Sequence, residues 1–426
     1  MSTQPSDQAA TTPEQMNIHI AGESGQAQAD LLTLMRPGTL NLGAPPPLSL
    51  YVHIPWCLRK CPYCDFNSHA WDSAQRGPIP EAALLQALLS DLEGSLPLIW
   101  GRKVHSVFIG GGTPSLLSPA TVAELLQGLR ARLDLVPGAE ITLEANPGTF
   151  ERERFAAFAH AGVTRLSIGV QSFDDASLQA IGRVHTAAQA HAAIAEAKSC
   201  FETLNLDLMY ALPGQTRAAW QDNLRQALAY EPPHLSIYHL TLEPNTYFAK
   251  HPPELPDDDT AYDMLDDVTA LTAEHGLQRY EVSAFARTGH RSRHNLNYWQ
   301  FGDYLGIGPG AHSKLSFAHR IVRQVRLREP NTYIEQTRKG LPLSSSTEVA
   351  RAELPFEYML NALRLIDGVA IADMLDRTGL PASAFERGLQ RAEAQGLLTR
   401  DWQHLRPTPR GTDFLSDLQA LFLPEA

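Results

Sequence analysis

Residues 51–66 read YVHIPWCLRKCPYCDF and hold three of the chain's four cysteines at the spacing C-x3-C-x2-C. The apolar run ahead of the first cysteine is typical of a buried strand, so the cysteines follow a strand directly. Four cysteines in 426 residues do not make a disulfide framework, and three clustered thiolates indicate a metal centre in a reducing compartment. The fourth, Cys200, is predicted to be a buried free thiol.

The spacing suits a single loop wrapped around one corner of a 4Fe–4S cubane, with Cys57, Cys61 and Cys64 ligating three of the irons. The loop then offers no ligand to the fourth iron, and an open metal position is where a cofactor or substrate can bind. The alternative is a structural zinc site of the three cysteines with His53 or His69. Zinc ligands usually come as two separated pairs, which argues against it.

Beyond this loop, short apolar runs rich in β-branched and aromatic residues alternate with Ala- and Leu-rich helical stretches. Apolar strands separated by helices predict parallel βα units. Six in succession predict an α/β fold built on a partial or full (β/α) barrel. The predicted strands are residues 49–55, 104–112, 140–147, 165–172, 203–214 and 234–244.

The pattern divides the chain into four parts. Residues 1–47 are polar, rich in Gly and Pro and without a secretory signal, and they are predicted to be a disordered extension. Residues 48–250 are the predicted barrel core. Residues 251–345, with one predicted strand at RYEVSAFA, extend the barrel. Residues 346–426 predict three helices and a hairpin, a winged-helix-like C-terminal domain.

The charge argues against a nucleic-acid partner. The net charge is −12, and residues 350–426 contain 8 Arg and no Lys against 11 acidic residues. A winged helix that binds DNA needs a basic face, so a structural or substrate-covering role is expected for this domain. The longest continuous apolar stretches fall short of a membrane span, and a cytoplasmic protein is expected.

Polar residues or glycines stand at the carboxyl ends of the predicted strands, where the chemistry of a βα barrel lies. Their convergence with the three thiolates predicts one functional site at that end of the barrel. These strand-end residues are Gly110–Thr113, Glu144, Asn146, Gln171, Asp207 and His239.

The cysteine spacing, with Tyr63 just before the last cysteine, resembles the signature of the radical SAM superfamily. A closer resemblance, to the oxygen-independent coproporphyrinogen III oxidase-like group, runs from about Leu48 to the C-terminus. It is carried by LSLYVHIPWC, CPYCDFNSH, FIGGGTPSLL, EANPGT, RLSIGVQSF, NLDLMYALPGQ and LGIGPGAHSK. The resemblance implies that S-adenosylmethionine binds the open iron, and that the protein positions a cofactor which supplies the radical chemistry.

The resemblance also assigns S-adenosylmethionine contacts to individual residues. Glycines let the backbone approach the methionine end closely, an arginine suits its carboxylate, and acidic side chains suit the ammonium group and the ribose. Each such residue alone is common in turns and on surfaces, but together at successive strand ends they favour the cofactor. The matching residues are Tyr51, Tyr63, Gly111, Gly112, Thr113, Glu144, Gln171, Arg183 and Asp207.

Two departures separate the chain from the coproporphyrinogen oxidases. Phe66 stands where those enzymes carry a further cysteine, and their N-terminal segment is not recognisable in residues 1–47. The chain resembles instead the HemW-type heme chaperones, which implies heme binding, delivery to heme-requiring proteins such as respiratory proteins at the membrane, and no oxidase activity. The alternative is a radical SAM oxidoreductase that decarboxylates a tetrapyrrole, coproporphyrinogen III. A homodimer and peripheral membrane attachment are left open.

The stretch RHNLNYWQFGDYLGIG carries the H-N-x-x-Y motif associated with heme in that branch, beginning at His294. Imidazole is a common axial ligand of heme iron, and the aromatic residues around the motif offer flat apolar surface. His294 is therefore the candidate heme ligand, with His239 and His312 as alternatives. The residues alone leave a second interpretation open, in which the motif is a polar loop whose aromatic side chains pack the barrel mouth.

Overall fold

The computed structural model describes residues 34–148 and 151–424, and its main element is a twelve-stranded sheet. The strands of the predicted βα units lie side by side in chain order and run parallel. This confirms the predicted α/β fold. The six strands are β1 (Leu48–Ile54), β2 (Lys103–Gly111), β3 (Asp134–Ala145), β4 (Arg165–Gln171), β5 (Thr203–Tyr210) and β6 (His234–His239).

The sheet continues on both sides of these six strands. One further parallel strand pairs with β1 on the side opposite β2, three antiparallel strands follow it, and two short antiparallel strands follow β6. The order is β12-β11-β10-β9-β1-β2-β3-β4-β5-β6-β8-β7, so among the described residues the two edge strands do not pair and the sheet does not close into a full barrel. The added strands are β7 (Gln278–Arg279), β8 (Ala284–Ala286), β9 (Asp303–Ile307), β10 (His312–Phe317), β11 (Arg320–Arg326) and β12 (Leu343–Glu348).

Helices connect the strands and bury their apolar side chains against the sheet. Leu84, Leu88 and Leu92 of the first long helix share one core with Leu50 and Val52 of β1. The longer helices are Glu81–Ser95, Pro119–Arg132, Glu151–Ala161, Ala187–Cys200, Arg217–Leu228, Asp258–Glu274, Arg293–Trp299 and Pro330–Thr337. Short helices lie at Ser73–Arg76, Leu96–Ile99, Pro114–Leu116, Asp175–Ala180 and Tyr247–Lys250.

Within the described residues, one helical segment, Glu81–Ile99, is long and apolar enough to cross a membrane by length and composition. The sequence does not show it as a continuous apolar run, because Glu81, Asp91 and Glu93 interrupt it. Its buried leucines belong to the core under the sheet, which accounts for the apolar composition.

The C-terminal domain has its own apolar core, in which Tyr358 packs edge-on against Phe301 and Phe385. Five helices and a three-stranded antiparallel sheet form it, and the last two helices follow the sheet. The first three helices with the sheet confirm the predicted winged-helix-like arrangement. Its helices are Leu354–Ala362, Ile371–Thr378, Ser383–Ala394, Pro409–Asp413 and Leu415–Ala420. Its strands are Val369–Ala370, Leu398–Arg400 and His404–Pro407.

Part of the predicted extension packs onto this domain. Leu40 and Leu42 are only 4% and 6% exposed and belong to the C-terminal core. Their backbone amides donate to the carbonyls of His319 (3.2 Å) and Ala318 (2.9 Å). The prediction of disorder is therefore wrong for residues 34–47, because two leucines in a polar stretch find an apolar surface elsewhere in the chain. Residues 1–33 lie outside the described residues.

A buried ion cluster joins β9 to β10. Asp303 accepts from Arg102 (2.8 Å) and from Lys314 (3.0 Å), and the Asp303 and Lys314 side chains are 0% and 2% exposed. Burial lowers the pKa of Lys314 to about 8 although Asp303 opposes that shift. The cluster therefore depends on the Asp303 carboxylate to compensate two cations held away from water.

Replacing Asp303 with alanine is expected to destabilise the fold by about 3–5 kcal/mol, because it leaves buried cations without a counter-charge. Urea unfolding followed by circular dichroism measures the change. The matched control is Glu335→Ala, which removes an exposed carboxylate bonded to Lys339 and should leave the unfolding midpoint unchanged. Equal midpoints for the Asp303 variant and wild type would show that the cluster does not stabilise the fold.

Candidate cluster and cofactor site

The cysteine loop leaves the end of β1 and is held there by backbone hydrogen bonds. The amides of Gly112 and Thr113 donate to the carbonyls of Ile54 (2.7 Å) and Trp56 (2.8 Å). A two-residue parallel pair, Trp56–Cys57 with His69–Ala70, closes the base of the loop. The loop is thereby fixed against the carboxyl end of β2, as the position of the motif directly after a strand predicts.

Each of the three cysteines has one polar neighbour directed at its sulfur. Thr113 Oγ1 donates to Cys57 (3.5 Å), Arg183 Nη1 donates to Cys61 (3.8 Å), and Ser68 Oγ lies 3.5 Å from Cys64. Donors of this kind stabilise thiolates, whereas burial raises the pKa of the Cys57 and Cys64 thiols. A bound metal would supply the remaining drive for deprotonation.

The sulfur contacts of Cys57 and Cys61 are joined through one amide. Asn146 Nδ2 donates to Thr113 Oγ1 (2.9 Å), and its Oδ1 accepts from Arg183 Nη2 (2.6 Å). Arg183 Nη2 also donates to the Gly169 carbonyl at 2.6 Å. Asn146 therefore links the ends of β2, β3 and β4 beneath the cysteine loop.

The histidines proposed for a zinc site are engaged elsewhere. The His53 ring bonds the Tyr51 hydroxyl through Nδ1 and the Asn67 carbonyl through Nε2, both at 3.0 Å, and His69 Nε2 lies 3.3 Å from Asn67 Oδ1. Within residues 34–148 and 151–424, no three His, Cys, Asp or Glu side chains are placed to hold one metal ion. A cubane binds its thiolates at three separate irons, so the arrangement fits a cluster better than a single zinc ion.

All but one of the predicted cofactor residues line one cavity of about 320 Å³ beside the cysteine loop. Because residues from the ends of all six parallel strands contribute, the sheet must curve around this space. The structure brings together the three cysteines and eight of the nine predicted cofactor residues. These eight are Tyr63, Gly111, Gly112, Thr113, Glu144, Gln171, Arg183 and Asp207.

Tyr51, the ninth, does not line the cavity, and its hydroxyl is bonded to His53. The glycines have a further role besides admitting a ligand. A Cβ on Gly111, whose φ is +113°, would lie 2.5 Å from the His53 ring, and one on Gly112 would lie 2.5 Å from the Trp56 carbonyl oxygen. Gly112 therefore makes room for the start of the cysteine loop, and Gly111 makes room for the ring of His53 on β1, because a side chain at either position would clash there.

Two buried carboxylates face the cavity. Glu144 accepts from the Gly111 amide at 3.0 Å, and Asp207 accepts from Asn205 (2.7 Å) and Ser167 (3.2 Å). Burial, with the charge of Asp207, raises the pKa of Glu144 to about 7, and burial also raises the pKa of Asp207. Buried carboxylates with few positively charged neighbours suit a ligand that carries a positively charged group and hydroxyl donors.

Some residues that line the cofactor cavity are not among the cofactor residues predicted from the sequence. Ser167, Gly169 and Tyr238 line the cavity, and burial raises the pKa of Tyr238. Strand alternation could have found the first two, since they precede Gln171 by four and two residues on the same face. Gln171 has a φ of +65°, a strained left-handed conformation that turns the chain at the end of β4.

His294 lies away from this cavity, inside the protein, and is 1% exposed. Its Nδ1 lies 3.0 Å from Ser106 Oγ and its Nε2 lies 3.0 Å from the Tyr298 hydroxyl, while its ring stacks on Phe108. Glu140 accepts from the His294 backbone amide and so anchors the helix to β3. In this arrangement both ring nitrogens are bonded within the protein, and heme ligation by His294 stays a prediction.

The alternative heme ligands are placed differently. His239 lines the cofactor cavity at the end of β6, and burial lowers its pKa. His312 is exposed at the start of β10. Cys200 ends its helix as a free thiol, as predicted, with its sulfur 3.7 Å from Glu196, but it is only partly buried.

Comparison with known proteins agrees with this architecture. Residues 51–227 match the family model of the radical SAM superfamily, and residues 349–414 match that of the HemN C-terminal domain. A protein of Haemophilus influenzae named heme chaperone HemW is 46% identical over 386 residues, which cover 89% of this chain and 99% of that protein. The chain belongs to the HemW family of the radical SAM superfamily.

The same family name recurs for an Escherichia coli relative of this HemW-family chain, heme chaperone HemW, which is 46% identical over 382 residues (89% of this chain, 99% of that protein). Among solved structures, the coproporphyrinogen III oxidase HemN from Escherichia coli superposes with a TM-score of 0.76 at 24% identity, covering 94% of this chain and 93% of that one. This likeness establishes the fold.

Phe66, the residue at which the sequence departs from the pattern of the coproporphyrinogen oxidases, is 60% exposed beside the cysteine loop.

Proposed function

We propose that this HemW-family chain is a heme chaperone, which binds a 4Fe–4S cluster, S-adenosylmethionine and heme and transfers the heme to heme-dependent proteins. The observation that carries the proposal is the 46% identity with two proteins named heme chaperone HemW over 99% of their length. Because the match spans the barrel and the C-terminal domain, it concerns the whole protein and not the superfamily core alone.

The residues of the cavity suit the two cofactors. When bound, the cluster supplies the electron that cleaves the sulfonium of S-adenosylmethionine. Arg183 is held against Cys61 and Asn146, and its buried Nε has no partner, which leaves a donor for the cofactor carboxylate. Glu144 would accept from the ammonium group, and Asp207 from the ribose hydroxyls.

The partners of this function are heme and heme-requiring recipients, which include respiratory proteins at the membrane. We propose a cytoplasmic protein that attaches peripherally to the membrane during delivery, and a homodimer as its assembly when the cluster is present. These parts of the proposal rest on the family, and size-exclusion chromatography with and without the cluster tests the dimer.

Heme transfer tests the function directly. Anaerobically reconstituted protein is loaded with heme and mixed with a heme-free b-type cytochrome, and the Soret band of the recipient is followed. Transfer faster than from free heme supports the proposal. A second arm supplies coproporphyrinogen III, S-adenosylmethionine and a reductant. Formation of the vinyl product protoporphyrinogen would instead favour the alternative function, a radical SAM oxidoreductase acting on a tetrapyrrole.

The affinity for S-adenosylmethionine is expected to rise with pH between about 6 and 8, since Glu144 must be deprotonated to accept from the ammonium group. With a pKa of about 7 in the free protein, Glu144 is mostly protonated at the lower pH. Below that pKa the affinity should fall by up to about tenfold per pH unit. Isothermal titration calorimetry measures it, and Glu144→Gln should remove this part of the pH dependence. An identical profile in that variant would contradict the assignment.

A further inference from the structure

A group of buried polar side chains extends from the cofactor cavity into the protein. Asn205 on β5 and His234 at the start of β6 pair in the parallel ladder, and they are 1% and 0% exposed. Asp207, two positions after Asn205 and on the same face of β5, lines the cofactor cavity. A buried polar group is unfavourable unless it is hydrogen-bonded, so the hydrogen bonds of these side chains indicate their role.

The amide of Asn205 is held in one orientation. Its Nδ2 donates to Asp207 Oδ1 (2.7 Å), because an ionised carboxylate can only accept, and also to Ser167 Oγ (2.8 Å). Its Oδ1 accepts from Ser236 Oγ (3.0 Å) and from His234 Nδ1 (2.6 Å). The amide therefore cannot turn its oxygen towards the carboxylate without breaking these bonds.

The same reasoning places the proton of the His234 ring. Burial lowers the pKa of His234 well below its usual value, so the ring is neutral, and Nδ1 carries the proton that it donates to the Asn205 oxygen. Nε2 is then an acceptor, and the Tyr280 hydroxyl at 2.9 Å donates to it. Tyr280, which is 0% exposed, accepts from the backbone amide of Ser292 (3.3 Å). All the hydrogen bonds from Ser292 to Asp207 therefore donate in one direction, towards the carboxylate of the cavity.

The end of this chain of hydrogen bonds farthest from the cavity is anchored to the fold. Ser292 is the N-cap of the helix Arg293–Trp299, and its Oγ accepts from the Asn295 amide (3.3 Å). Glu140 on β3 accepts from the backbone amides of residues 293 (3.1 Å) and 294 (3.0 Å). The Tyr280 hydroxyl is therefore bonded to a helix end that is itself fixed to the sheet.

At the cavity, the ionised form of Asp207 depends on these neighbours. Burial raises the pKa of Asp207, and the strongest effect in the opposite direction is the hydrogen bond from Asn205, ahead of the charge of Arg165. Losing that bond would favour the protonated acid, which is a weaker acceptor for a sugar hydroxyl. Asn205 is therefore placed to keep Asp207 ionised and in one orientation.

We propose that Asn205 and His234 are positioning residues for S-adenosylmethionine, which orient the Asp207 carboxylate towards the ribose hydroxyls. Tyr280 holds the histidine ring in the tautomer that this requires. The inference rests on the proposed function, in which Asp207 accepts from the ribose. Hydrogen bonds behind a binding side chain matter because they fix its rotamer before the ligand arrives. A purely structural role would change the affinity of every ligand of the cavity, whereas positioning changes the affinity only of ligands with ribose hydroxyls.

Calorimetric titration of the anaerobically reconstituted protein tests the inference, with S-adenosylmethionine and with an analogue that lacks both ribose hydroxyls. The ratio of the two dissociation constants should favour S-adenosylmethionine by at least about 30-fold in wild type. Asn205→Leu should reduce this ratio by about tenfold. His234→Leu should reduce it by at least about threefold, since Ser236 still donates to Asn205. His234→Asn keeps a donor near the position of Nδ1 and should retain the wild-type ratio.

Tyr358→Phe is the matched control, because it removes the hydroxyl of a buried tyrosine from the core of the C-terminal domain, and its ratio should equal that of wild type. Iron content and cluster absorbance verify the fold of each variant. If the leucine variants do not hold the cluster, Tyr280→Phe takes their place, since it removes a single hydroxyl and keeps the ring. A ratio below that of wild type in Tyr280→Phe then supports the inference.

An unchanged ratio in the Asn205, His234 and Tyr280 variants would overturn the inference, even if the affinities for both ligands fall together. A wild-type protein that binds both ligands equally well would overturn it too. Either result leaves the proposed heme chaperone standing, because heme transfer is measured separately. Absence of S-adenosylmethionine binding by the cluster-containing wild type would overturn both the inference and the cofactor of the proposed function.

Discussion

Replacing any one of Cys57, Cys61 or Cys64 with alanine is expected to abolish the iron–sulfur cluster, reducing iron and sulfide from about four of each per chain to near zero. All three cysteines come from one loop, and each has a separate polar neighbour at its sulfur. Removing one ligand leaves a cubane with two bonds to the protein and two irons without a protein ligand. We expect the protein to lose such a cluster. Iron and sulfide quantitation after anaerobic purification measures the loss.

Cys200→Ala is the matched control, because Cys200 lies in the helix Ala187–Cys200 and does not line the cofactor cavity. It should keep full iron content and the visible absorption of the cluster. Stoichiometric zinc without sulfide in wild type, lost in the loop variants, would show a zinc site and contradict the cluster. S-adenosylmethionine binding should disappear together with the cluster, since the proposed function anchors the cofactor at the open iron.

Arg183→Ala is expected to weaken S-adenosylmethionine binding by about 30-fold or more, equivalent to about 2–5 kcal/mol for truncating one partner of a buried charged pair. The guanidinium is buried beneath the cysteine loop and bonded to Asn146 and the Gly169 carbonyl, with Cys61 at 3.8 Å. Lysine cannot replace it, because a single ammonium cannot reproduce the planar set of donors.

Calorimetric titration of the reconstituted variant measures this loss, with iron quantitation in parallel to verify the cluster. Arg76→Ala is a suitable control, since Arg76 is exposed and does not line the cavity. Wild-type affinity in the Arg183 variant with an intact cluster would show that this arginine supports the loop and does not bind the cofactor carboxylate.

The sequence by itself determined the features that depend on neighbours along the chain. The cysteine spacing defines the loop, because three sulfurs within eight residues can be brought together by one short loop without help from the rest of the fold. The alternation of apolar strands and helices predicts six parallel strands in order, since each unit buries its own apolar face. Parallel strands place their carboxyl ends at one edge of the sheet. The convergence of the polar residues there can therefore be predicted from the sequence, without a measured distance.

Only the tertiary structure decided which of these side chains share a surface. His294 is hydrogen-bonded to Ser106, 188 positions earlier in the chain, and Tyr51 turns to His53 and not to the cavity. Leu40 and Leu42 are buried on a domain more than 300 residues away, and β9 returns to pair with β1. Local patterns cannot predict such contacts, because their free energy comes from surfaces that meet only after the chain has folded.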